Sequence, residues 1–209
     1  MASRFDDLPL RRGAHPTRDD GMCAMEMVAW LAGEAHSDEP RCACPVLSAF
    51  VRACNDAMDD EARNRWLRPL VPILVNTRAS AAVEKVRGWL VVDAVVRELV
   101  PARLRWLRRS DEANLLADLP PIRSAASAKA ALRAIEHFAR EHHATRWVLQ
   151  RAVDGMPPAR FVAGAVQVAK ARQKGSTWPA IVALIERMVA AGAAPTTEGT
   201  PGRVVESAI

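Results

Sequence analysis

Hydrophobic positions recur at three- and four-residue intervals along most of the chain, which is the spacing of one helix face. In residues 21–32, Met22, Met25, Val28, Ala29, Leu31 and Ala32 cover most of a helical circumference, and Glu26 is the only charge. A helix that is apolar on nearly every side must be surrounded by others, so this one is placed at the centre of the fold. Asp19 or Asp20 can accept from the free N–H groups at its start, and Gly33 can adopt the left-handed conformation that ends a helix. Cys23, Glu26 and Trp30 then share a face, with a thiol beside a carboxylate.

In the linker Glu34–Cys44, Ser37 and Asp38 suit a turn, and Pro40 and Pro45 prevent the helix from continuing. Pro45 fits the first turn of a second helix, 45–57. There Val46, Leu47, Phe50, Val51 and Cys54 form one side, opposite Arg52, Asn55 and Asp56, and this helix packs on the first. Asp59 or Asp60 caps a third helix to about Arg68, and the proline-punctuated run Leu70–Val75 reads as a buried helical turn or two.

Ser80 starts the longest helix, with Val83, Val86, Leu90, Val91, Ala94, Val95 and Leu99 as its apolar stripe and Glu84 able to pair with Arg87 outside. Pro101 predicts a kink or a new helix. Ser110 caps a short helix that stops at Pro120 and Pro121, so the best internal boundary lies at 119–123. An alanine-rich helix follows from Ser124 or Ser127. The pattern resumes at Trp147, Val148 and Val153, and two further helices begin near Pro158 and Thr177.

With 209 residues, half of them apolar, the chain can bury one substantial core. Tyr is absent and β-branched residues do not alternate, so the fold expected is an all-α single domain, residues 19–192, of about eight to ten helices. Residues 1–18 are expected as a flexible arm and 193–209 as a flexible tail. The N-terminus has no apolar core of a secretory signal, and no run approaches the ~18 apolar residues of a membrane span. A soluble, cytosolic protein with reduced thiols is therefore expected.

Charge divides unevenly. Residues 1–100 hold 13 Lys/Arg against 15 Asp/Glu, and residues 101–209 hold 16 against 9. Arg105, Arg108 and Arg109 beside Trp106, with Arg160, Lys170, Arg172 and Lys174, make a candidate nucleic-acid surface. The competing reading is the solvated face of ordinary amphipathic helices.

Cys23, His36, Cys42, Cys44 and Cys54 fall within 32 residues and offer the thiolate and imidazole ligands that zinc favours. However, one residue separates Cys42 from Cys44, where a chelating loop ordinarily has two, and small buried hydrophobes are the alternative. A thiol at the start of the second helix, Cys42 or Cys44, with His36 as base, is a nucleophile candidate. The adjacent letters His36-Ser37-Asp38 cannot form a triad and read as a turn. His137 and Glu141, four apart, could hold a metal but have no third local ligand.

The order CAMEMVAWLAGE, HSDEPRCACPVLSAFVRACND, LRPLVPILVNTR over residues 20 to 120 resembles a group of uncharacterised proteins of high-GC bacteria and their phages. The resemblance implies one structural unit and brings no activity with it. Well-formed helices without a convergent reactive set point to a non-catalytic binding or assembly protein with a protein partner. A nucleic-acid-associated protein and a metal- or redox-dependent protein are the alternatives.

Overall fold

The computed structural model describes residues 8–136, 143–169 and 177–192, and every regular element among them is helical. The central helix, α1 (Ala24–Leu31), begins later than the sequence suggests. Its N-cap is Cys23, whose Sγ accepts from the Glu26 N–H at 3.5 Å while the Glu26 carboxylate accepts from the Cys23 N–H at 2.7 Å. This is a capping box with sulfur in place of the usual hydroxyl. Asp19 and Asp20 are not caps. They lie in a separate 3-10 turn, Arg18–Asp20, where Asp20 accepts from the Thr17 hydroxyl. Gly33 ends α1 at φ 69°, with its own N–H and that of Glu34 returning to Trp30 and Ala29.

Helix α2 (Pro45–Ala57) has Cys44 as N-cap and Pro45 in its first turn, where a missing N–H costs nothing. Phe50, Val51 and Cys54 are fully buried. At its other end the side chain of Arg63, 1 % exposed, donates to the carbonyls of Asn55 (2.8 Å) and Met58 (2.7 Å). It thus supplies donors that the end of a helix lacks. Asp59 caps the short α3 (Asp60–Ala62) by accepting from the Ala62 N–H at 2.8 Å.

Two prolines are accommodated by the same device. A five-residue π turn, Arg63–Leu67, ends two residues before Pro69, and another, Val95–Leu99, ends two residues before Pro101. A proline ring collides with the carbonyl four residues back. A turn wound to i→i+5 moves that carbonyl away, so α5 (Ala81–Ala94), the second π turn and α6 (Val100–Trp106) form one continuous helical path. The first π turn leads through a 3-10 turn into α4 (Val71–Leu74), the helical turn expected there, of which Val71 and Leu74 are buried while Ile73 is 42 % exposed. Ser80 caps α5 as expected.

The remaining helices are α7 (Ser110–Ala117), α8 (Ala125–Ala134), α9 (His143–Val153), α10 (Pro158–Ala169) and α11 (Trp178–Ala190). Helix α2 does touch α1, yet its most extensive neighbour is α10, more than 100 residues away in sequence. Helix α10 also packs on α5 and α9, and α11 on α5 and α2. Two glycines permit these approaches. A Cβ on Gly88 of α5 would lie 2.5 Å from the Pro158 ring, and one on Gly164 would lie 2.5 Å from the Trp147 ring.

Helix α5 is turned differently from its predicted stripe: Val86 is 49 % exposed, and Arg87, expected outside with Glu84, is 1 % exposed. Its guanidinium donates to the carbonyls of Met188 (2.8 Å) and Thr77 (2.7 Å), so it fastens the end of α11 to α5. Once enclosed, the guanidinium retains its hydrogen bonds without water by donating to these carbonyls.

Within the stretch expected as a flexible arm, residues 8–18 lie against the bundle. Leu10 is fully buried, and Asn64 and Asn55 provide the main-chain partners for Leu10 and Arg11. Two asparagine amides from distant elements take the place of local periodicity. The expected tail, 193–209, lies outside the described residues.

Candidate functional site

Glu26 is the one charge on α1, and it is 1 % exposed. A buried carboxylate needs donors, and three converge on it, with a second imidazole close by. Its oxygens accept from the His15 N–H (2.6 Å), the His15 ring Nδ1 (2.8 Å) and the Cys23 N–H (2.7 Å), with His36 Nε2 at 3.6 Å. His36 in turn donates from Nε2 to the His15 carbonyl at 2.9 Å. Burial pushes the Glu26 carboxyl upward, but the His15 N–H, then the Cys23 N–H and the His15 ring outweigh it, and the net pKa shift is downward. The ionised carboxylate therefore ties the N-terminal segment and the Glu34–Cys44 linker to α1.

Sequence reading missed His15. The available signal was Glu26 itself, since a lone charge on an apolar helix calls for partners, and two of the five histidines lie within 11 residues of it.

The five proposed metal ligands separate into different surroundings. Cys23 and His36 adjoin Glu26. Cys42 lies beside Glu34, whose carboxylate accepts from the Arg41 and Cys42 N–H groups at 2.7 and 2.8 Å. Cys44 heads α2, its N–H donating to the Thr77 hydroxyl, and Cys54 is enclosed in the core. All four cysteines are free thiols. Among the described residues, no three His, Cys, Asp or Glu side chains form a group that could hold a metal ion.

Burial raises the Cys23 thiol pKa to about 12 and pushes Cys54 up as well. Cys42 is raised by burial and by the adjacent Glu34 charge, the opposite of what nucleophile activation at a helix start requires. Ser37 accepts from the Glu39 N–H, so His36-Ser37-Asp38 is a turn, as expected.

The basic cluster is rearranged. Arg105, Arg108 and Arg109 do not share a helix face, because α6 ends at Trp106 and Arg108 sits at φ 61°. Arg105 donates to the Asn114 side chain, and Arg109 forms a two-pronged pair with Glu112. Trp106 and Leu107 are 60 % and 43 % exposed. Arg160 is exposed on α10. Lys170, Arg172 and Lys174 lie outside the described residues, as do His137 and Glu141.

A concavity among the described residues lies elsewhere, as a cavity of ≈ 520 Å³ between α5, α8, α9 and α10. Trp89, Met156, Phe161 and the rings of Pro157 and Pro158 provide its apolar wall, and Glu84, Lys85, Arg123 and Ser124 its polar one. Gly88 against Pro158 fixes the floor, and Gly155, at φ 71°, turns the chain between α9 and α10. The Ser124 hydroxyl is engaged in the capping box that starts α8. No periodicity could reveal this cavity, because it exists only where three helix starts and the end of α9 meet. No protein-family model, curated protein or solved structure matches the chain.

Proposed function

We propose that the chain is a non-catalytic helical binding protein whose ligand occupies the cavity between α5, α8, α9 and α10. The cavity carries this reading. Its ≈ 520 Å³ falls within the ~300–1,000 Å³ of small-molecule sites, and a mainly apolar wall with a few polar groups is how such sites are lined. Neither cysteine nor histidine is in the wall, and its one hydroxyl is committed to a helix cap. These side chains hold and orient a ligand better than they attack one. The test uses Ala81, an exposed wall residue at the start of α5. Ala81→Trp places an indole in the cavity without disturbing the core. Compounds of metabolite size that raise the melting temperature of the full chain but not of A81W support the reading. Equal responses from the two proteins, or none from either, overturn it.

A second reading, nucleic-acid association, is favoured by Trp106, exposed between the exposed Arg105 and Arg108, since bases stack on such rings. Salt-sensitive retention on single-stranded DNA or RNA that is lost in Trp106→Ala supports it. Unchanged mobility at low salt dismisses it.

A further inference from the structure

We propose that the cavity takes an organic anion, with a flat apolar body against Trp89, Met156 and Phe161 and an acidic group at the mouth between Lys85 and Arg123. This deepens the binding reading above and rests on it. Lys85 stands four residues before Trp89 on α5, so the cation lies one helical turn from the ring, on the same face. Arg123 lines the same cavity from a different element, immediately before the Ser124 cap of α8. Both are exposed, and neither forms an ion pair with another described residue, whereas Arg52, Arg63, Arg97 and Arg187 do. Two uncommitted cations on one mouth invite a counter-charge.

The wall carries one carboxylate, Glu84, so the mouth has a net charge of +1, which suits a singly charged acid better than a cation or a neutral molecule. The backbone adds to the same sign. Helices α5, α8 and α10 begin at this cavity and α9 ends there, so three partial positive helix ends outnumber one partial negative end. The serine caps of α5 and α8 already occupy N–H groups there. The helices therefore contribute field, and the directed hydrogen bonds come from Lys85 and Arg123. A ring system is expected because Trp89, Met156 and the Pro157 and Pro158 rings present apolar surface and a thioether, which pack well on aromatic faces, with the buried Phe161 behind them.

The test is a fluorescence titration of the full chain with 1-anilinonaphthalene-8-sulfonate and with N-phenyl-1-naphthylamine, which has the same rings without the sulfonate. The sulfonate is expected to bind at least about tenfold more tightly, the value of one charge-assisted contact. Lys85→Met/Arg123→Met should bring it down to the affinity of the neutral dye, with near-ultraviolet circular dichroism unchanged. Each single variant should lose part of the advantage, so the expectation holds even if the double variant folds poorly. A81W should block both dyes. Equal binding of the two dyes to the unaltered chain, with both lost in A81W, would overturn the anion claim and leave the binding site standing. Binding of both dyes to A81W as tightly as to the unaltered chain would overturn the cavity as the site.

Discussion

At the scale of single residues, Glu26 determines how residues 8–44 are held. Gln at this position retains one acceptor oxygen and loses the charge that collects the His15 and Cys23 donors. Glu26→Gln should cost about 2–4 kcal/mol in urea unfolding, as expected when buried charged hydrogen bonds are broken. The downward shift of Glu26 sets the sign of a pH effect. A carboxyl held lower in the folded state than in the unfolded state stabilises fully above its unfolded value, and this stability is lost as pH falls through the folded value. The unaltered chain should therefore lose more stability than E26Q between neutral pH and about pH 3.5. Parallel pH dependences of the two would contradict the assigned role.

The cysteines give a second prediction at this scale. Cys23→Ser keeps a capping acceptor for the Glu26 N–H and should change stability by less than about 1 kcal/mol. Cys54→Ser buries a hydroxyl in a fully enclosed site and should cost about 1–3 kcal/mol. Equal effects in denaturant titrations would show that Cys23 does not act as a cap. The burial of Cys23, Glu26 and Cys54 could be read from sequence, because the apolar spacing around them admits little else. The partners of Glu26 could not, since the segment carrying His15 is brought in by asparagine contacts from 44 or more residues away.

At the scale of elements, close approach is governed by small residues. Gly88→Ala gains helix propensity of about 1 kcal/mol, yet its Cβ would meet the Pro158 ring, which is fixed to the backbone of α10. A net loss of about 1–3 kcal/mol is expected in thermal or urea unfolding. Gly164→Ala meets the Trp147 ring instead, and Trp147, 39 % exposed, can swing outward. Its cost should be smaller, and a larger cost at Gly164 than at Gly88 would contradict the packing described. Most helix starts were legible because serine, aspartate and proline signals are local, as at Ser80, Asp59 and Pro45. The rotation of α5 was not. Val83 and Val86 mark a stripe by composition, but the position of Arg87 is decided by carbonyls of residues 77 and 188, which only the folded chain brings near.

At the scale of the whole molecule, the fold has two contrasting regions. One, around Glu26, engages the carboxylate in internal hydrogen bonds that fasten residues 8–23 to α1. The other, where α5, α8 and α10 begin, has a cavity and two cations that form no ion pair among the described residues. Arg87 connects distant parts of the bundle by donating to Thr77 and Met188, so Arg87→Met should lower global stability by about 2–4 kcal/mol through the carbonyls it strands. The all-α class followed from periodicity, but the central place of α10 beside α2 did not, because pairing across more than 100 residues leaves no mark on the local pattern. The most direct measurement of the central claim is hydrogen exchange of the full chain with and without 1-anilinonaphthalene-8-sulfonate. Slowed exchange in residues 81–89, 123–127 and 152–161, with residues 8–44 unchanged, is the predicted result. Protection confined to residues 8–44 or to the Trp106 surface would contradict it.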